Sequence, residues 1–559
     1  MISISPPPND SRYDIIIVSG EYWADHPHSG VGVIARILSD QGYSVGIVEK
    51  PDWTDTADIK RFGMPNLFYG VTSGAIDSML QNYTPLKKLR KKDRYNPYDS
   101  KIPDRAVIVY SQKILQTQNQ LITENQNLEK KPIVLGGVEA SLRRFTHYDY
   151  WDNDVRKPIL LDSKADILVY GPGEHQIIQI AQRIEKGEDF YNIPIPGTCV
   201  LVNENPNKIK RKTKSNGKIS EEFQEKDAIY YEMLPSFEKV VEHDEKFCKM
   251  HMMFSNKRNL AQKVKNRYVI QNKQHNYTSE ELDALYNLPF SYNIPDKHKE
   301  LKMAQFSIIT HRGCFGNCNF CSIALHQGDK IISRSKKNIL DEIEKMKEHP
   351  DFKGYINDLG GPSANMYGMD CEASDTCDKD CLECKNRITG HEESIHLLKK
   401  ARNIDGIKKI FVRSGIRYDL VVEGNEKYLK ELLLHHLSGY LKIAPEHFSP
   451  KICELMNKPA DYFKKFLSLF KKLNKEKNWK LKYYFITAHP GSSMKEAREL
   501  SRKLRKLGRK NTNKVQVFTP TPISKSTCMY HTGLNPFNLK QIYVPYSYRE
   551  KKRQKRIFF

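Results

Sequence analysis

Cys314, Cys318 and Cys321 fall within eight positions, in the run H-R-G-C-F-G-N-C-N-F-C. Three thiolates at that spacing form an incomplete metal cage, because a [4Fe–4S] cube takes four cysteine ligands. The next cysteine, Cys371, is fifty residues further on and belongs to a group of its own. One iron is therefore left without a protein ligand, open to a substrate. The alternative is a zinc site, which is normally closed by four ligands, with His311 as the fourth. A disulfide is the weaker alternative, since three cysteines cannot all pair and no signal peptide is read ahead of them.

Cys371, Cys377, Cys381 and Cys384 form a second constellation, C-x5-C-x3-C-x2-C. Four thiolates so close can close a tetrahedral zinc site or bind an auxiliary iron–sulfur cluster; unmetallated thiols are the third alternative. Cys199, Cys248, Cys453 and Cys528 are isolated and read as packing residues, with a redox or acceptor role as the alternative for Cys528.

These groups need elements to hold them. From about residue 300, strand and helix signals alternate six times, with strands expected at Met303–Ile309, Gly354–Asn357, Lys408–Arg413, Tyr440–Ala444, Leu481–Ala488 and Lys514–Phe518, and helices between them at, for example, Lys336–His349 and Asp461–Leu473. Six β/α units make a partial TIM barrel, whose active site lies at the carboxyl ends of its strands. Those ends read H-R-G-C-F-G-N-C-N-F-C, D-L-G-G-P-S-A-N-M-Y-G, R-S-G-I-R-Y-D, A-P-E-H, T-A-H-P-G-S-S and T-P-T-P. They bring forward Asp358, Gly360 and Gly361, then Arg413 and Ser414, then Glu446 and His447. Taken singly, each reads as a satisfied loop residue; as a set at successive strand ends they point to a site.

The first part of the chain alternates β-rich runs with helical patterns. Strands are expected at Asp14–Ser19, Tyr43–Val48, Ala106–Tyr110, Pro132–Leu135 and Asp166–Val169, with a helix at Val31–Leu38. That alternation implies a doubly wound α/β sheet, with loops S-G-E-Y-W-A-D-H-P-H-S-G, G-G-V-E-A-S and Y-G-P-G-E at the strand ends where ligands collect. Residues 203–228 are polar and basic and read as an exposed insertion. Ser236 to Gln274 reads as helical, and Tyr277 to Asp296 as a capped short helix followed by an irregular stretch. The expected organisation is an α/β domain over 1–200, an insertion and helical bridge over 201–299, the barrel over 300–525 and a basic tail over 526–559.

At 559 residues the chain is too long for one ordinary core. The formal net charge is +23, from 90 Lys and Arg against 67 Asp and Glu. Such a balance suits a polyanion, but the lysines are spread over most helical faces and read mainly as solvated surface. The sharpest basic run, Arg549 to Arg556, is expected to be a disordered terminal arm. No run approaches the ~20 apolar residues that span a bilayer, so a soluble, cytoplasmic protein without a membrane partner is expected.

The C-x3-C-x2-C spacing with Phe320 before its last cysteine resembles the signature of the radical S-adenosylmethionine (SAM) superfamily. The early D-H-P, L-G-G-V-E-A-S-L-R-R-F-T-H-Y-D-Y-W, then I-S-R-S, D-L-G-G-P-S-A-N-M-Y-G, K-I-A-P-E-H and M-Y-H-T-G-L-N-P together resemble the YgiQ-type radical SAM proteins, whose substrate is uncharacterised. The resemblance implies a [4Fe–4S] cluster on Cys314, Cys318 and Cys321 whose open iron is chelated by the amino and carboxylate groups of SAM. One electron then cleaves the sulfonium to methionine and a 5′-deoxyadenosyl radical. It implies SAM contacts from Phe320, Gly360, Gly361, Arg413, Ser414 and Glu446, with Gly360 and Gly361 standing where the family carries G-G-E and Pro362 replacing its glutamate. A flavodoxin or ferredoxin is the implied reductant. The first domain resembles a cobalamin-binding domain, but the cobalamin-ligand motif D-x-H-x-x-G is missing, since Asp25 is followed by His26 and Pro27, so cobalamin is not expected. An RNA-modifying, methylthiotransferase-like enzyme is the alternative. It is not favoured, because no OB or RRM pattern is present at the C-terminus. A non-catalytic iron–sulfur protein is disfavoured by the intact triad.

Overall fold

A computed structural model describes residues 1–8, 11–91, 102–189, 194–208, 214–215, 218–219, 229–371, 377, 380–475, 478–507 and 512–558 of the chain. Most of the insertion expected at 203–228 lies outside the described residues. The chain divides into two compact units, Met1–His275 with Leu288–Lys299, and Asn276–Asn287 with Glu300–Phe559.

The first unit is built on a ten-stranded sheet. Its parallel part runs in the order Ile2–Ser3, Val45–Glu49, Ile15–Ser19, Phe68–Thr72, Ile133–Leu135, Ile167–Val169. Leaving out the short terminal strand, that is the 2-1-3-4-5 order of a doubly wound sheet, whose switch point lies between its first and third strands. The apolar run I-I-I-V-S is buried along its whole length, as a strand covered on both faces must be. Thr198–Val202, Arg267–Gln271 and Leu260–Val264 then extend the sheet antiparallel, and Glu232–Leu234 closes it.

Two expectations are corrected here, and one strand is added. Ala106–Tyr110 is no strand but the start of a helix, Ala106–Glu124. Its β-branched opening A-V-I-V-Y hid a helical stripe, for Ala106, Val107, Tyr110, Ile114 and Thr117 are all buried on one face. The strand Phe68–Thr72 went unread because Gly70 interrupts its apolar run; no side chain is needed there, where Ile17 lies alongside. Ser236–Gln274 is helical only as far as Met253. It continues as a hairpin in which Val264 faces Arg267 across a two-residue turn, with Lys265 at φ 54.

In the second unit six short parallel segments follow one another: Ser307–Ile309, Tyr355–Gly360 in two runs, Lys409–Ile410, Tyr440–Glu446, Lys480–Thr487 and Thr512–Val517. Helices Lys336–Lys347, Glu392–Arg402, Tyr462–Leu473 and Met494–Leu507 lie between them. This is the partial barrel the sequence called for. Strands Tyr440–Glu446 and Lys480–Thr487 alternate buried with half-exposed residues. Helix Ser279–Tyr286 belongs to this unit and is held at its start by a capping box of Thr278 and Glu281. The basic run near the end is not an arm: Tyr548–Arg556 is a helix with Lys551 and Gln554 buried. Among the described residues no helix is long and apolar enough to cross a membrane.

Candidate active site at the carboxyl ends of the barrel strands

The cysteine loop follows the first barrel strand and is pinned on several sides. Gly313, at φ +83, lies so close to the Lys330 carbonyl that a Cβ would overlap it, so only glycine fits. Asn319 donates from its backbone to Met456 O at 3.0 Å and from its amide to Leu455 O at 3.0 Å. Asn457 donates back to Asn317 O at 3.0 Å. The Cys321 N–H closes a turn on Cys318 O at 3.0 Å.

All three thiols are half-buried. Burial pushes Cys321 up to about 12, with Cys318 adding to the rise, and also raises Cys314. A thiolate is unfavourable in such a place unless positive charge accompanies it. Arg417 supplies some: its Nη1 is 3.2 Å from Gly316 O and 3.9 Å from Cys318 Sγ. A Cβ on Gly316 would collide with that guanidinium. Arg417 is in turn fixed by Asp419, at 2.5 Å from Nη2 and 3.1 Å from Nε. Burial opposes the charge on Asp419, but Arg417 holds its carboxyl below the ordinary range. Lys458 adds a second positive field at Cys314 and at Glu446. The sequence reading passed over Arg417, Asp419 and Lys458. The run R-S-G-I-R-Y-D carried the first two, but only a fold could show them turning back to the cysteine loop.

The second strand ends in Asp358-Leu359-Gly360-Gly361. Asp358 accepts from Arg413 N at 2.7 Å, from Ser414 N at 3.1 Å and from the Ser414 hydroxyl. The two glycines make room for protein groups: a Cβ on Gly360 would stand 2.8 Å from Ser414 Oγ, and one on Gly361 2.5 Å from the His311 ring. Gly360 O already accepts from Thr310 N at 2.8 Å and Thr310 Oγ1 at 3.1 Å. His311 is fully buried, lies 2.9 Å by Nδ1 from Thr310 Oγ1, has no hydrogen-bond partner at Nε2, and is lowered to about 4 by burial. Arg413 is exposed, its guanidinium 4.6 Å from the centre of the Phe411 ring. Phe320 is half-buried.

The fourth strand ends in K-I-A-P-E-H. Pro445 has no N–H to give the ladder, and its pairing with the next strand shifts register between Ile443 and Glu446. Glu446 emerges at φ 62, an uncommon conformation for a residue with a side chain. It is buried, near enough to Cys321 to raise that thiol, and is itself raised to about 7 by burial with Lys458 opposing. His447, also buried, has no hydrogen-bond partner at Nε2. Glu446 thus joins the cysteine loop, as does Cys381 of the second constellation, which packs with Leu382 and Cys314 on one apolar cluster centred on Phe315, Met366 and Leu420. Cys371 is exposed. Among the described residues neither constellation gathers three ligand atoms within 4.8 Å, with or without His311. A single zinc would draw its sulfurs closer, at about 2.3 Å each from the ion.

Residues 9–311 match the model of the radical SAM N-terminal family, and residues 308–504 that of the radical SAM superfamily. A UPF0313 protein of Methanocaldococcus jannaschii is 45% identical over 562 residues, spanning 97% of this chain and 89% of its own. The chain belongs to the UPF0313 family of radical SAM proteins. A second UPF0313 protein, from Methanosarcina acetivorans, is 41% identical over 97% of this chain and 75% of its own. The UPF0313 chain is therefore an enzyme of the radical SAM class, with the iron–sulfur and SAM-binding character of that class, and the YgiQ-type resemblance holds. Among solved structures, the radical SAM methyltransferase TsrM of Kitasatospora setae, with cobalamin and a [4Fe–4S] cluster bound, aligns at 15% identity and a TM-score of 0.49 over 92% of this chain and 74% of its own. OxsB, with aqua-cobalamin and SAM bound, aligns at 12% identity and a TM-score of 0.45 over 93% and 55%. Both of these structures hold cobalamin, against the expectation of none for this chain, which is withdrawn. The missing D-x-H-x-x-G motif concerns one imidazole ligand to cobalt, not whether a corrin is held.

Proposed function

We propose that the UPF0313 chain binds SAM at a cluster on Cys314, Cys318 and Cys321, cleaves it reductively, and abstracts hydrogen from a substrate still to be identified. When bound, the cluster would supply one electron to the sulfonium of SAM, whose S–C bond would break to give methionine and a 5′-deoxyadenosyl radical. The observation that carries the proposal is the clamped cysteine loop at the end of the first barrel strand. It offers three half-buried thiols beside Arg417 and Lys458, and beside the buried Glu446. The donor set fits iron–sulfur ligation, since buried thiols need positive charge in place of their protons.

Each residue then has a task. Arg417 steadies Cys318 and closes the back of the loop. Because Gly360 O is already engaged by Thr310, the carbonyl of Gly361 is the one that receives the amino group of SAM. Asp358 and Ser414 position the third strand end, and from it Arg413 meets the carboxylate. Phe320 lines the cleft, and Glu446 accepts from the ribose hydroxyls. Cys371, Cys377, Cys381 and Cys384 hold a separate metal.

Anaerobically reconstituted protein with dithionite and SAM should release 5′-deoxyadenosine and methionine, and Cys318→Ala should abolish this while leaving the far-ultraviolet circular dichroism unchanged. Wild-type protein that holds only zinc in this loop, or cleaves no SAM after verified loading, would end the proposal.

A further inference from the structure

Fifteen large apolar side chains are exposed among the described residues, and five of them, Phe537, Leu539, Tyr543, Tyr546 and Tyr548, fall within twelve positions. Elsewhere such residues are scattered, which needs no explanation, whereas five in one short stretch of chain do. The same stretch of chain is basic: from 525 to 559 it carries eight Lys and Arg against one Glu. Lys525 lies 5.2 Å from the centre of the Phe537 ring and Lys552 5.5 Å from that of Tyr548. Helix Tyr548–Arg556 buries Lys551 and Gln554, leaving Arg549, Arg553 and Arg556 exposed.

This surface begins where the cysteine loop ends. Ser526, at the start of helix Lys525–Thr532, donates from its backbone to Asn319 O at 2.9 Å, between Cys318 and Cys321. Ser322, next to Cys321, donates to Thr521 Oγ1 at 3.0 Å. The helix runs directly into the hairpin that carries Phe537 and Leu539, closed by Ile542 N to Gly533 O at 2.8 Å and Asn535 N to Lys540 O at 2.9 Å. Lys525 also feels the carboxylate of Asp380, in the second cysteine segment.

We propose that the segment from Phe537 to Arg556 is the docking surface for a small acidic one-electron carrier protein. Aromatic and Arg side chains are what interface cores use, and a basic rim steers an acidic partner and sets its orientation. Basic charge interleaved with aromatics also suits single-stranded nucleic acid. The position favours the carrier, because electron transfer falls steeply with distance and this patch is joined through one helix to the loop that would hold the cluster. One electron leaves the carrier, which is oxidised by one equivalent, and enters the cluster. The inference rests on the cluster site proposed above.

The test uses full-length protein and a flavodoxin as the probe. Its binding to the apoprotein, followed by fluorescence anisotropy, should weaken at least tenfold in the triple variant Arg549→Glu, Lys552→Glu, Arg553→Glu and lose most of its salt dependence. Phe537→Ser should weaken it several-fold, and hydrogen exchange should show protection of 537–556 by the carrier. Dithionite-driven SAM cleavage by the loaded triple variant should match wild type, while flavodoxin-driven cleavage falls. Unchanged carrier affinity in both variants, protection confined to another surface, or tight binding of a single-stranded oligonucleotide here without carrier binding would overturn it. Failure of wild-type protein to cleave SAM with dithionite would instead sink the proposed function, and the apoprotein binding arm would still decide the docking surface.

Discussion

Glu446 and Arg417 show how single residues are set to work by their neighbours. Glu446 stands at φ 62 directly after Pro445, where the ladder shifts register, and strained conformations of this kind gather at functional sites. Glu446→Gln keeps the volume and removes the charge. Charge-assisted hydrogen bonds contribute about 1.5–3 kcal/mol, so SAM affinity, measured by equilibrium dialysis on loaded protein, should fall at least tenfold while iron content stays at the wild-type level. Equal affinity would place Glu446 outside the SAM contacts. Arg417 is different in kind, since its removal strands Asp419 in the interior. Breaking one partner of a buried pair costs about 3–5 kcal/mol. Arg417→Gln should therefore lower thermal stability by several degrees in the apoprotein, and Arg417→Gln with Asp419→Asn should restore most of it. A double variant no more stable than the single one would show that the pair is not what the site leans on.

At the scale of elements, the last helix has the least expected role. Gln554 is fully buried; its Oε1 accepts from Ala488 N at 3.0 Å, Thr487 Oγ1 at 3.1 Å and Ser492 Oγ at 3.3 Å, while its Nε2 donates to Ser492 O at 2.7 Å. The helix thereby pins the end of strand Lys480–Thr487. Gln554→Ala leaves several buried groups without partners, at about 1–3 kcal/mol for each unsatisfied group, and should shift the urea midpoint down clearly; a midpoint within error of wild type would mean that water replaces the amide. None of this was legible in R-E-K-K-R-Q-K-R, whose charges speak of solvent although Gln554 and Lys551 are both buried. Strands such as Ile15–Ser19 and Lys480–Thr487 were legible, because burial on both faces or alternate burial writes itself into the apolar pattern. The cysteine triad was legible too, since ligand spacing is local. Arg417 and Lys458 reach the cysteine loop from about a hundred or more positions away, and no local pattern encodes such a return.

The whole molecule carries a net charge of +23 and yet keeps several histidines where no proton can follow. Burial lowers His147 and His489 to about 3 and His391 to about 4. The unfolded chain binds a proton at each near pH 6.5, whereas the folded chain refuses it until the pH is far lower. Their share of the stability is thus complete above pH 6.5 and is lost as the pH falls below it. Glu446, raised to about 7, and Glu139, raised by burial and by Asp77, act in the opposite sense, because the folded form takes up the proton first. The sum is therefore a poor test, and a single site is a good one. His147 is buried, its Nδ1 lies 3.0 Å from Phe145 O, and Arg143 and Arg156 disfavour its cation while Asp149 favours it. Between pH 7.5 and pH 5.5 it should contribute about 1.4 kcal/mol of stability loss, one unit below the unfolded value. His147→Gln cannot titrate, so its unfolding free energy, from urea denaturation at both pH values, should fall by about 1.4 kcal/mol less than that of wild type. Parallel falls in the two proteins would mean that His147 takes up its proton in the folded state, and that burial does not keep it neutral.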